Sequence, residues 1–190
     1  MKLIKTLSTL FLILFLVTAC SKQEKSSQKE EKKEIEVKKN IPFALKDINN
    51  NEIKIKVDGL EFKSNDLNKS ITLLTFFTTW CPPCKAEIPH LVDIQKKYKN
   101  SLQVVGVLLE ENIKKDRLKE FINEYNINYF VSISNKNFDF AKRVYALVQA
   151  PRNMPIPITV MLKDKKYFIH YLGAVPQEMI ESDIKNALGE

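Results

Sequence analysis

Seven residues, Ile71-Thr72-Leu73-Leu74-Thr75-Phe76-Phe77, are all apolar or β-branched, and four positions after them comes Cys81-Pro82-Pro83-Cys84. A run without polar alternation predicts a strand covered on both faces, which places it in the middle of a sheet with helices on either side. Two prolines in succession suit the first turn of a helix, where no N–H donor is needed. A helix is therefore expected from about Pro82 to Tyr98, interrupted at Pro89, and a second buried strand over Leu102 to Leu109. Helical spacing returns at Arg117 to Tyr125, with Leu118, Phe121 and Ile122 as its apolar face. A short strand over Tyr129 to Ile133 and a short helix over Phe138 to Leu147 follow. Ile158 to Leu162 and Tyr167 to Leu172 flank a polar tetrapeptide as a hairpin, and Ile180, Ile184 and Leu188 mark a closing helix. Phe43-Ala44-Leu45 and Ile53-Lys54-Ile55 form an earlier hairpin around Asn49-Asn50-Asn51, while residues 56–70 carry no clear pattern. The sum is an α/β domain over residues 41–190, with a central mixed sheet flanked by helices and an N-terminal hairpin extension.

The first forty residues are of another kind. Lys2 and Lys5 precede a nearly continuous apolar stretch, Leu7 to Val17, too short for the ~20 residues of a membrane-spanning helix. It reads as the core of a signal peptide over residues 1–19. Val17-Thr18-Ala19-Cys20 resembles a bacterial lipobox, which makes Cys20 the expected lipidated first residue of the mature chain and its acyl chains the membrane anchor. Residues 21–40 hold seven Lys, five Glu and no aromatic residue, a composition that cannot offset the entropy of ordering. They are expected to form a tether with a typical span of ~25 Å and a stretched limit of ~70 Å. The expected location is the bacterial cell envelope, with the domain facing the periplasm, or the outer surface of a Gram-positive cell.

The formal charge of +7 arises from 30 basic residues, of which only three are Arg. Nucleic-acid readers rely on the forked guanidinium, and no Arg/aromatic patch occurs, so nucleic acid is not an expected partner. The lysine excess serves solvation.

A thiol at a helix N-terminus meets unpaired N–H groups and the positive end of the helix dipole, which favour thiolate. In such motifs the thiol pKa falls from ~8.5 to between ~3.5 and ~7.5. Two intervening residues on a helical turn bring both sulfurs within bonding distance. Cys81 is expected to be the exposed attacking sulfur, and Cys84, a turn deeper, to resolve the mixed disulfide. A permanent staple is the poorer reading, since so short a loop gains little chain entropy. Haem attachment needs His in the position of Lys85. Zinc needs four ligands, and Cu(I) bound by the two thiolates with His90 or His170 is the non-enzymatic alternative. No metal or cofactor is expected.

The segment Thr75-Phe76-Phe77-Thr78-Thr79-Trp80-Cys81-Pro82-Pro83-Cys84-Lys85-Ala86-Glu87-Ile88-Pro89 resembles the active site of the thioredoxin fold. Its Lys-x-Glu-x-Pro continuation is similar to that of the membrane-tethered TlpA/ResA-like thiol–disulfide oxidoreductases. The resemblance implies a redox-active Cys81–Cys84 disulfide that exchanges with partner proteins, a cis-proline at Pro157, and contacts to the partner from Trp80, Pro82, Pro83, Ile156 and Pro157. Residues preceding such a proline offer backbone groups to a partner strand. Met154 would add apolar surface, and Gly173 matches a family glycine near the site. Thioredoxin itself has a buried Asp where this chain has Thr75, which makes Glu87, one turn beyond Cys84, the natural proton exchanger. The family so resembled includes proteins serving cytochrome c maturation, and the tether favours a reductase of that type that draws electrons from a membrane-bound donor; a monomer is expected. A disulfide oxidase or isomerase of the same fold is the alternative.

Overall fold

The computed structural model describes residues 41–190; the expected signal peptide, Cys20 and the tether to residue 40 lie outside the described residues. The apolar run forms strand β4 (Ile71–Phe77), buried at every position. It pairs in parallel with β5 (Leu102–Leu108) on one side and antiparallel with β7 (Ile158–Lys163) on the other. With β1 (Phe43–Lys46), β2 (Glu52–Asp58), β3 (Glu61–Lys63), β6 (Phe130–Ser132) and β8 (Lys166–Leu172), the described residues form one mixed sheet in the order β1-β2-β3-β8-β7-β4-β5-β6.

Alternation along β4 divides the core. Leu73 and Phe77 point to the face covered by α1 (Pro82–Lys97), flanked by α2 (Lys115–Glu124) and α4 (Gln177–Leu188). Leu74 and Phe76 point to the opposite face, against Phe140, Ala141, Val144 and Tyr145 of α3 (Asn137–Leu147). Phe140 packs between Phe76 and Phe43, with ring centroids 5.8 and 5.3 Å away.

Two features depart from the sequence-based expectations. Pro89 lies inside α1 without interrupting it. The residue is exposed, so the Lys85 carbonyl that loses its intrahelical donor sits on the solvent side of the helix. Residues 56–70, without pattern in the sequence, extend β2, turn at Gly59 (φ +56°) and supply β3. The expected N-terminal hairpin extension is present, and through β3, whose Glu61 partners Lys166, it joins the main sheet. Its turn is built by Asp47, whose Oδ1 accepts from the N–H groups of Asn49 and Asn51, both at 2.8 Å. The first strand then bends back to the far end of the sheet: the carbonyl of Lys46 accepts from Ile133 N–H at 2.7 Å, and that of Ala44 from the Ser134 hydroxyl at 2.7 Å. Leu45, Ile55, Val57 and Phe62 thereby share one core with α3.

Candidate active site

The site lies where β4 ends and α1 begins. Cys81 is the N-cap of α1, and its sulfur accepts from the backbone N–H of Cys84 at 3.2 Å. That contact aims one of the helix's free N–H groups at the sulfur on which negative charge develops when the pair opens. Pro82 and Pro83 occupy the first turn, exposed, and give up no hydrogen bond there. Cys81 and Cys84 are joined in a disulfide with Cα atoms 5.3 Å apart. Trp80 stands 64% exposed beside them.

Cys81 was expected to be the exposed sulfur. In this oxidised state both cysteines are buried, Cys81 at 4% and Cys84 at 1% exposure. The cause is the loop opposite. Cys81 Sγ lies 3.9 Å from the carbonyl oxygen of Ile156, and the Ile156 side chain packs on the same apolar cluster. The Ile156–Pro157 bond is cis. This loop is held from two directions: Gly173 (φ +77°) donates its N–H to the Pro157 carbonyl at 2.8 Å, and the Tyr145 hydroxyl donates to the Pro155 carbonyl at 2.7 Å. Met154 is half-buried and packs on the core beneath the loop.

Glu87 lies one helical turn beyond Cys84 and points inward, only 1% exposed. Its Oε2 accepts from the hydroxyls of Thr159 at 3.2 Å and Thr75 at 3.5 Å. The two threonines are direct partners across β4 and β7, so together they form a polar floor under the carboxyl group. Burial pushes the Glu87 pKa up from 4.5 to about 7, against the opposing pull of the two hydroxyls. A carboxyl group poised there can accept or return a proton near neutral pH.

Glu110, which sequence reasoning did not single out, ties the active-site loop to the end of β5. Its Oε2 accepts from both the N–H (3.1 Å) and the hydroxyl (2.7 Å) of Thr79. The only hint in the sequence is its position directly after a buried strand. Of the two histidines, His170 has its Nδ1 2.9 Å from the Tyr167 hydroxyl and His90 has its Nδ1 buried without a protein partner; among the described residues no group of three or more His, Cys, Asp or Glu side chains gathers.

The arrangement can perform thiol–disulfide exchange. It combines a helix-capping sulfur, a second sulfur one turn deeper, a buried acid beyond that, and an opposing loop with backbone groups at the sulfur.

Comparison with known proteins agrees. The sequence matches the family described as AhpC/TSA over residues 38–171. It is 30% identical over 154 residues to the thiol-disulfide oxidoreductase ResA of Oceanobacillus iheyensis, an alignment covering 80% of this chain and 72% of that protein. Among solved structures, a thiol:disulfide interchange protein of the thioredoxin family from Chlorobium tepidum superimposes with a TM-score of 0.57 at 19% identity, over 78% of this chain and 94% of the other. StoA from Bacillus subtilis does so with a TM-score of 0.54 at 22% identity, over 74% and 94%.

Proposed function

The chain belongs to the AhpC/TSA family and is a thiol–disulfide oxidoreductase of thioredoxin-like fold, and from that premise we propose that it reduces disulfides in partner proteins outside the cytoplasm, through Cys81 and Cys84. The observation that carries this reading is the Cys pair capping α1, faced by the Ile156–Pro157 loop and backed by the buried Glu87.

In the reducing direction the Cys81 thiolate attacks one sulfur of the partner's disulfide. A mixed disulfide forms, and the other partner sulfur leaves as thiolate. Cys84 then loses its proton to Glu87 and attacks Cys81 Sγ, which expels the second partner sulfur. The partner gains two electrons, and the Cys81–Cys84 disulfide re-forms. Returning the oxidised pair to dithiol needs two electrons and two protons from a donor; a membrane-bound thiol–disulfide reductant is the proposed source. Trp80, Pro82 and Pro83, exposed around the sulfurs, contact the partner. Ile156 and Pro157 lie opposite and offer backbone groups to its strand.

The sequence of residues 1–40 supports an envelope location: a leader over 1–19, lipidation at Cys20, and a tether that holds the 41–190 domain near its donor. The reductase direction and the cytochrome c maturation role rest on this tethering. Mass spectrometry of the mature N-terminus tests the anchor, with acylated Cys20 the expected end and any other end its refutation. Cys84→Ser tests the chemistry. It should accumulate mixed disulfides between Cys81 and envelope proteins, released by dithiothreitol and absent from the double Cys81→Ser, Cys84→Ser variant. Failure to accumulate any would overturn the exchange role.

A further inference from the structure

While Oε2 of Glu87 takes both threonine hydroxyls, Oε1 is buried with no protein partner. The hydroxyl of Tyr129 is in the same condition, buried and unpartnered. The two groups belong to one neighbourhood. Tyr129 lies over Gly106, where a methyl group added to the glycine would stand 3.3 Å from ring atom Cε2. Gly106 is the β5 partner of Thr75, and Thr75 is the partner of Thr159. The row Gly106–Thr75–Thr159 therefore floors the space beneath Glu87, with the tyrosine over one end and the carboxyl group's hydroxyl donors at the other. The phenol lies within the field of the carboxylate, whose charge adds to burial in holding Tyr129 protonated.

One group is an acceptor and the other a permanent donor. Buried polar atoms almost always find a partner, and a bridging water is the usual one where two protein groups do not meet directly. A phenylalanine would cover Gly106 equally well, so packing leaves the hydroxyl unexplained. Burial raises the Glu87 pKa and the hydroxyls of Thr159 and Thr75 oppose the rise; among the described residues no charged side chain contributes. From β4 and β7 it meets Thr75 and Thr159; on its own helix Cys84, held in the disulfide, lies three positions back, and His90, whose Nδ1 is buried without a protein partner, lies three positions on.

We propose that Tyr129 is a positioning residue for Glu87: its hydroxyl donates to an internal water, which donates in turn to Glu87 Oε1. The carboxylate is then held on one oxygen by two threonines and on the other by the tyrosine-bound water, which fixes the orientation in which it faces Cys84. This inference rests on the reading of Glu87 as the proton acceptor for Cys84.

The test is Tyr129→Phe in the oxidised protein labelled with 13C-glutamate, with the Glu87 carboxyl resonance identified by its loss in Glu87→Gln. Hydrogen bonds to the charged form favour it, so removing the donor should raise the Glu87 midpoint by ~0.5–1 unit, a three- to tenfold gain in proton affinity. Stability to urea at pH 8 should fall. An unchanged midpoint, with stability equal or higher as expected for deletion of an orphaned hydroxyl, would overturn the proposal. Exchange by Glu87→Gln is read separately. If that variant exchanges at the wild-type rate, the proton-acceptor role fails, whatever the titration of Tyr129→Phe shows.

Discussion

Replacing Glu87 by Gln isolates the cost of burying a carboxylate beneath α1. Burial moves its pKa from 4.5 to about 7. A gap of about 2.5 units, at about 1.36 kcal/mol per unit, is worth roughly 3 kcal/mol. Because the folded value lies above the unfolded one, the folded protein holds this proton more tightly than the unfolded chain does. The associated stability is complete below pH 4.5, declines between pH 4.5 and 7, and is gone above that. Glutamine has no such proton. Its amide can still accept from Thr75 and Thr159, and any cost of its buried NH₂ group is the same at every pH. Urea unfolding of the oxidised proteins from pH 4 to 9 keeps the cysteines from titrating and yields the variant-minus-wild-type difference directly. That difference should rise in favour of Glu87→Gln by roughly 3 kcal/mol across the range, with its midpoint near pH 6. A difference constant with pH would refute the burial argument. The same variant should slow exchange by about 10²-fold, since no group remains to take the Cys84 proton.

Other expectations follow from particular contacts. Gly106→Ala sets a methyl group 3.1 Å from Phe77 Cε1 and 3.3 Å from Tyr129 Cε2, and should cost ~1–3 kcal/mol in urea unfolding; no loss would mean that these rings yield freely. Asn137→Ala leaves the buried carbonyls of Leu108 and Ser132 without the Nδ2 donor that reaches both at 2.8 Å, and should cost ~2–4 kcal/mol by the same assay. Glu110→Ala releases Thr79, so hydrogen exchange at the Thr79 amide should accelerate at least tenfold while amides within β4 keep their protection. Uniform acceleration along β4 would show instead that the variant loosens the sheet as a whole.

What could be read from the sequence is local. The seven apolar residues of β4, the prolines at the start of α1 and the Cys spacing each state their geometry within a few positions, and the fold agrees with all three. The late hairpin and the Asn-rich turn were legible for the same reason. What stayed hidden depends on contacts between distant segments. Nothing near Glu87 in sequence shows that Thr75 and Thr159 meet beneath it, 12 and 72 positions away. Glu110 reaches Thr79 across 31 positions, and Ile156 covers Cys81 across 75. β3 has three residues, paired with β2 across the Gly59 turn and joined to β8 only through Glu61 and Lys166, and so short a strand leaves no alternation to read in residues 56–70.

The most direct test of the central claim is a redox titration of the Cys81–Cys84 pair. The protein is equilibrated in dithiothreitol or glutathione buffers and followed by the fluorescence of Trp80, its only tryptophan and the immediate neighbour of Cys81. The expected result is one reversible two-electron transition with a midpoint below ~−230 mV, in the range of reducing members of this fold. A midpoint above ~−180 mV would contradict the reductase direction, and the absence of any reversible transition would contradict exchange chemistry at this pair altogether.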